Sequence, residues 1–177
     1  ATSKPATDSA PAPTSKLSPA RTKLCLALLV LLGFALGCSE FVVIGIESDL
    51  AAELGVPLAT AGQLISVFAL VYAVATPVLA LTTGRFRRYQ LLVTYSAVFV
   101  LGNLVMALAP GFEVLFCSRI ILGSVSGALL AVGVTYIPEL LSVRQTSLAI
   151  SVVYGAFSVA MVFVTSIGKF IADTLDW

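Results

Sequence analysis

Glu40 and Arg119 are charged residues of opposite sign that fall inside long apolar runs of this 177-residue chain. An ionisable side chain in such a run is costly and faces a cavity or a partner. Glu40 lies six residues before Ile46, where its run ends, and Arg119 lies seven residues after Phe112, where its run begins. At 1.5 Å per helical residue both stand roughly 10 Å inside the same boundary. Matched depth allows one pair. A nearby cation favours the carboxylate and desolvation the neutral acid, so a carboxyl held between the two is poised to exchange a proton or to take a cationic substrate. The other readings are a structural ion pair locking two helices, or an arginine that snorkels outward.

The elements that must position these groups follow from composition. The chain is 59% hydrophobic and 11% charged, with a mean hydropathy of +1.05, whereas soluble domains are about half apolar and about a quarter charged. A water-soluble globule of this length would lack the charges to cover its surface. With no histidine among its residues, the chain lacks the commonest metal ligand and general base. Neither a metal, a cofactor nor an enzymatic activity is therefore expected. Net charge is +1, so nothing suggests a nucleic-acid partner. Three cysteines, all in apolar stretches, form neither a disulfide framework nor zinc spacing. The expected class is an all-α integral membrane protein with the lipid bilayer as its first partner.

Residues 1–23 are rich in Ala, Pro, Ser and Thr and read as a disordered tail. The first residue is Ala and not Met, so the chain is expected to be processed or a fragment. Five apolar segments follow, at about 24–46, 61–82, 90–108, 112–136 and 148–167, each near the ~20 residues that span a ~30 Å hydrocarbon core. The alternative for the first, a lipoprotein signal ending at Ala35-Leu36-Gly37-Cys38, fits poorly because Leu36 is bulky where a small residue belongs. The tail and the even-numbered links carry eight Lys/Arg, while the opposite side carries Lys169. The positive-inside rule then places the N-terminus in the cytoplasm and Trp177 outside.

Small residues mark the contacts. Gly123 and Gly127 form a G-x-x-x-G step in the fourth segment, and Gly33, Gly37 and Gly45 stand along the first, allowing close helix approach. Pro77 removes a backbone hydrogen bond in the second segment and is expected to bend it. Phe41, Phe68 and Tyr72 fall at helical spacing, which packing or lipid contact accounts for. The link Gly84-Arg85-Phe86-Arg87-Arg88 forces a tight hairpin, and its charges suit anionic lipid.

Taken together, Ser39-Glu40-Phe41, the run Asp49 to Val56, Ala61-Gly62-Gln63-Leu64-Ile65-Ser66, the link Gly84 to Arg88, Leu101-Gly102-Asn103 with Ala107-Leu108-Ala109-Pro110, and Arg119 followed by Gly123 and Gly127 resemble the N-terminal half of a major facilitator superfamily transporter. The similarity is to the sugar- and drug-efflux branch typified by arabinose-efflux permeases. It implies twelve helices in two six-helix halves, each half built of inverted three-helix repeats. By that resemblance Glu40 and Arg119 line the substrate and proton cavity, and Gly84, Arg85, Arg87 and Arg88 form a cytoplasmic gate. The family's usual Asp in that link is here Gly84, and its second Gly is Arg87. The Gly-Pro step of the antiporter signature is not present around Val164-Thr165-Ser166.

The expectation is thus five helices of the N-terminal six-helix half of a major facilitator fold, missing its C-terminal half. The resemblance implies a plasma-membrane exporter of a small sugar-like or drug-like molecule, working by alternating access with protons as the coupling ion. The alternative is a truncated, non-transporting membrane protein that associates with a partner.

Overall fold

The computed structural model describes residues 18–174. Seven helices follow in order: α1 Pro19–Glu53, α2 Leu58–Ala61, α3 Gln63–Thr83, α4 Arg88–Ala107, α5 Phe112–Val134, α6 Ile137–Leu140 and α7 Val143–Thr174. Five stretches are long and apolar enough to cross a membrane, α2 running on into α3 and α5 into α6.

The helix ends correct the sequence-based boundaries. Residues 19–23, expected in the tail, are helical; Pro19 stands at the first helical turn, where its fixed φ and missing N–H cost nothing. The rest of the expected tail, residues 1–17, lies outside the described residues, as does Trp177. At its other end α1 continues past Ile46 to Glu53. It stops at Gly55, whose φ of 62° is the one positive value among the described residues. The Val56 N–H there bonds the Ala51 carbonyl at 3.0 Å, a left-handed cap that favours glycine. With 35 residues, α1 is about 50 Å long, more than the hydrocarbon core requires. Its charged ends therefore project beyond that core without breaking the helix.

Two pairs of helices run parallel in close contact. A Cβ built on Gly33 would meet the Val153 carbonyl oxygen at 2.8 Å, one on Gly37 the Phe157 carbonyl oxygen at 2.6 Å, and one on Gly45 the Thr165 Cα at 2.8 Å. The sequence offset is the same at all three, so α1 and α7 keep register over three turns. In the second pair a Cβ on Gly123 would meet the Phe68 carbonyl oxygen at 2.8 Å, and one on Gly127 would strike Thr76 and lie 2.9 Å from the Tyr72 ring. That pair is α5 against α3. Pro77 lies inside α3, which remains helical on both sides of it.

Helix α5 is the hub. Just over half of its spanning stretch is buried, 56% against 11–22% for the other four, because α1, α3 and α4 all pack on it. Leu122, Val125, Ala128, Leu129 and Leu130 form the centre of the core, joined by Leu36, Phe68, Tyr95 and Phe99. A helix apolar all round is what such a position demands, and α5 shows no polar face. Among the described residues Arg119 is the charged residue that is buried.

Candidate functional site

Antiparallel packing brings the start of α5 to the second half of α1. There the Arg119 guanidinium, 1% exposed, donates from Nη1 to the Ser39 carbonyl at 2.9 Å and from Nη2 to the Glu40 carbonyl at 3.4 Å. It stands 5.3 Å from the centroid of the Phe68 ring, close enough for a cation–π contact. Its Nε–H is buried with no partner.

The expected neighbourhood forms, but the expected ion pair does not. Among the described residues the ion pair present is Arg88–Glu139; Arg119 binds the α1 main chain and leaves the Glu40 carboxylate free of direct contact. The reason is angular. Successive helical residues are turned by about 100°, so with the Ser39 side chain turned to Asn103 on α4, the Glu40 side chain is rotated off that direction. Its half-buried carboxyl lies within electrostatic reach of Arg119 and of Tyr72 on α3, and Tyr72 is within reach of Tyr154 on α7. Arg119 therefore does not snorkel outward.

Ser39 and Asn103 complete the junction. The Ser39 hydroxyl donates to Asn103 Oδ1 at 2.7 Å, and Asn103 Nδ2 donates to the Phe99 carbonyl at 2.8 Å. Four helices thus meet at one depth: Asn103 from α4, Ser39 and Glu40 from α1, Arg119 from α5 and Phe68 from α3. Ser39 and Asn103 stand in the motifs of the first and third segments, where their types and spacing carry no role of their own. A polar side chain inside an otherwise apolar span was the available signal.

The Arg-rich link behaves unevenly. Gly84 caps α3 in right-handed geometry, with φ −58°, so nothing in the backbone there demands glycine. Arg85 and Arg87 are exposed. Arg88 begins α4, pairs with Glu139 on α6 and reaches the Thr135 carbonyl at 3.5 Å. It ties the α3–α4 link to the far end of α5. Glu139 was visible in the sequence only as a charge on the same side. Gly123 and Gly127 are buried in the α3/α5 contact, next to the turn that holds Pro77.

A sequence model of the Major Facilitator Superfamily matches residues 29–177. Among curated relatives, the uncharacterized MFS-type transporter YbcL of Bacillus subtilis is 33% identical over 150 residues, covering 85% of this chain and 38% of that protein. The putative transporter AraJ of Escherichia coli is 26% identical over 144 residues, 81% of this chain and 36% of AraJ. The purine ribonucleoside efflux pump NepI of Escherichia coli is 26% identical over 153 residues, 86% of this chain and 37% of NepI. The chain spans less than two-fifths of the length of these relatives. A family match that runs through all five apolar helices and across the junction at Arg119 leaves one assignment: the chain belongs to the major facilitator superfamily, as an integral membrane protein.

Proposed function

We propose that this chain is the N-terminal wall of a proton-coupled exporter, with Glu40 as the group that binds proton or substrate. The observation that carries the reading is the Glu40 carboxyl. It is half-buried at membrane depth, unpaired, beside a buried cation and facing Tyr72. An acid so placed exchanges its proton when the surroundings change. Transport is assigned to a protein of the relatives' length, in which a C-terminal half supplies the other wall of the cavity and this half rocks against it. The Arg-rich end faces the cytoplasm by the positive-inside rule, with Gly84, Arg85, Arg87 and Arg88 forming the gate. The membrane is the bacterial plasma membrane, as the relatives' organisms suggest. The cargo is a small organic molecule, sugar-like or drug-like, and the name of NepI adds purine ribonucleosides to that range.

The test uses the full-length protein in everted membrane vesicles energised by a proton gradient, with inosine and ethidium as probes. Glu40→Gln is expected to abolish gradient-driven uptake of whichever probe the wild type carries. Undiminished uptake by the variant would refute the role of Glu40, and the absence of any probe flux in the wild type would remove this substrate range.

A further inference from the structure

Ser39 receives two helices at once, α4 on its hydroxyl and α5 on its carbonyl. The Asn103 amide is oriented for this. Its Nδ2 is committed to the Phe99 carbonyl one turn back, so Oδ1 is the atom presented to α1. Apart from this bond α1 and α4 share little contact. The part-buried bond lies between two open, mostly apolar grooves. One of about 310 Å³ is lined by Asn103 with Val43 and Ile46, and another of about 460 Å³ by Asn103 and Ser39 with Phe99. In such surroundings a polar bond is strong, and its loss leaves groups with nowhere else to turn. A local shift of the α1 backbone that parts Ser39 from Asn103 also moves the adjacent Glu40.

We infer that Asn103 is a positioning residue: through Ser39 it holds the local backbone of α1 at Ser39–Glu40 and so sets where the Glu40 carboxyl lies. The inference rests on the reading of Glu40 as the exchanging acid. The titratable groups within electrostatic reach of Glu40 are Arg119 from α5 and Tyr72 from α3, with Tyr154 of α7 in turn within reach of Tyr72. A shift of the α1 backbone at Ser39–Glu40 changes the distance to each.

Dicyclohexylcarbodiimide modifies protonated carboxyls, so the pH profile of Glu40 labelling reads its surroundings without any substrate. In the full-length protein, followed by peptide mass spectrometry, Ser39→Ala and Asn103→Leu should each shift the labelling midpoint by about half a pH unit in the same direction, the size expected of one interhelical hydrogen bond in a membrane. The double variant should shift it no further than either single change, and Ser39→Thr, which keeps the hydroxyl, should leave it in place. Unmoved midpoints, additive shifts in the double variant, a Ser39→Thr shift equal to that of Ser39→Ala, or a Glu40 that takes no label at any pH would each overturn the inference. Asn103→Leu keeps the side-chain volume; if it fails to fold, the Ser39 variants decide. A normal labelling result with undiminished transport by Glu40→Gln would sink the coupling role alone.

Discussion

The two parallel helix contacts, α1 with α7 and α3 with α5, are built alike and differ in what they can do. In each, the first helix of one three-helix unit presents glycines to the second helix of the other unit, the relation an inverted repeat produces. Along α1/α7 the glycines at 33, 37 and 45 all face main-chain atoms. Nothing there can move aside. Along α3/α5, Gly123 is equally tight against the Phe68 carbonyl, but Gly127 faces the side chains of Tyr72 and Thr76. One turn holds Pro77 and the Thr76 hydroxyl, buried without a partner. One contact, the strut, is closed by main chain throughout; the other, the joint, is closed by main chain beside Arg119 and by side chains toward the Arg-rich end. The polar junction lies at the second.

The largest expected effect tests that contrast directly. Gly37→Ala drives a methyl group into the Phe157 carbonyl at 2.6 Å and the Ala160 Cβ at 2.8 Å, and overpacking of this kind costs about 1–3 kcal/mol. Gly127→Ala meets the Thr76 hydroxyl, which can turn away, and the Tyr72 ring at 2.9 Å and Thr76 Cβ at 3.1 Å, which must give by a few tenths of an ångström, so its cost should fall below that of Gly37→Ala. Thermal unfolding of the two variants in detergent decides, and equal losses would erase the distinction between strut and joint.

A smaller effect of opposite sign sharpens it. Thr76→Val keeps the shape and removes the stranded hydroxyl, so it should stabilise the folded protein by about 1 kcal/mol. If the same measurement shows destabilisation, the hydroxyl has a partner and α3/α5 is tighter than described.

The smallest effect lies where the joint meets the Arg-rich link. Arg88 and Glu139 pair with side chains 54% and 58% exposed, and exposed pairs couple by about 0.2–1 kcal/mol. A double-mutant cycle of Arg88→Ala and Glu139→Ala should give a coupling in that range, and one well above it would mean that the link is clamped and not hinged.

Legibility in the sequence followed the range of each interaction. The five spans were visible because hydropathy is local, and the glycine stripes because a period of four residues is local too. Helix ends were not: the thickness of a bilayer sets a least length, and α1 goes on through Arg21, Lys23, Glu47 and Asp49 because helices tolerate charge once outside the hydrocarbon. Matched depth puts Arg119 beside Glu40, but the guanidinium bonds main-chain carbonyls and not the carboxylate that charge alone suggests. Asn103 and Ser39 were in view as motif residues, but their bond joins positions 64 residues apart, and nothing near either one announces the other.

What the sequence determined by itself is therefore the membrane class, the number of spans, the small-residue faces and the depth at which two charges must meet. Tertiary structure alone decided which helices those faces join and what Arg119 holds. Its acceptors are main-chain carbonyls, a group every residue carries, so no residue type can mark them; only the rotation and register of α1 against α5 select these two.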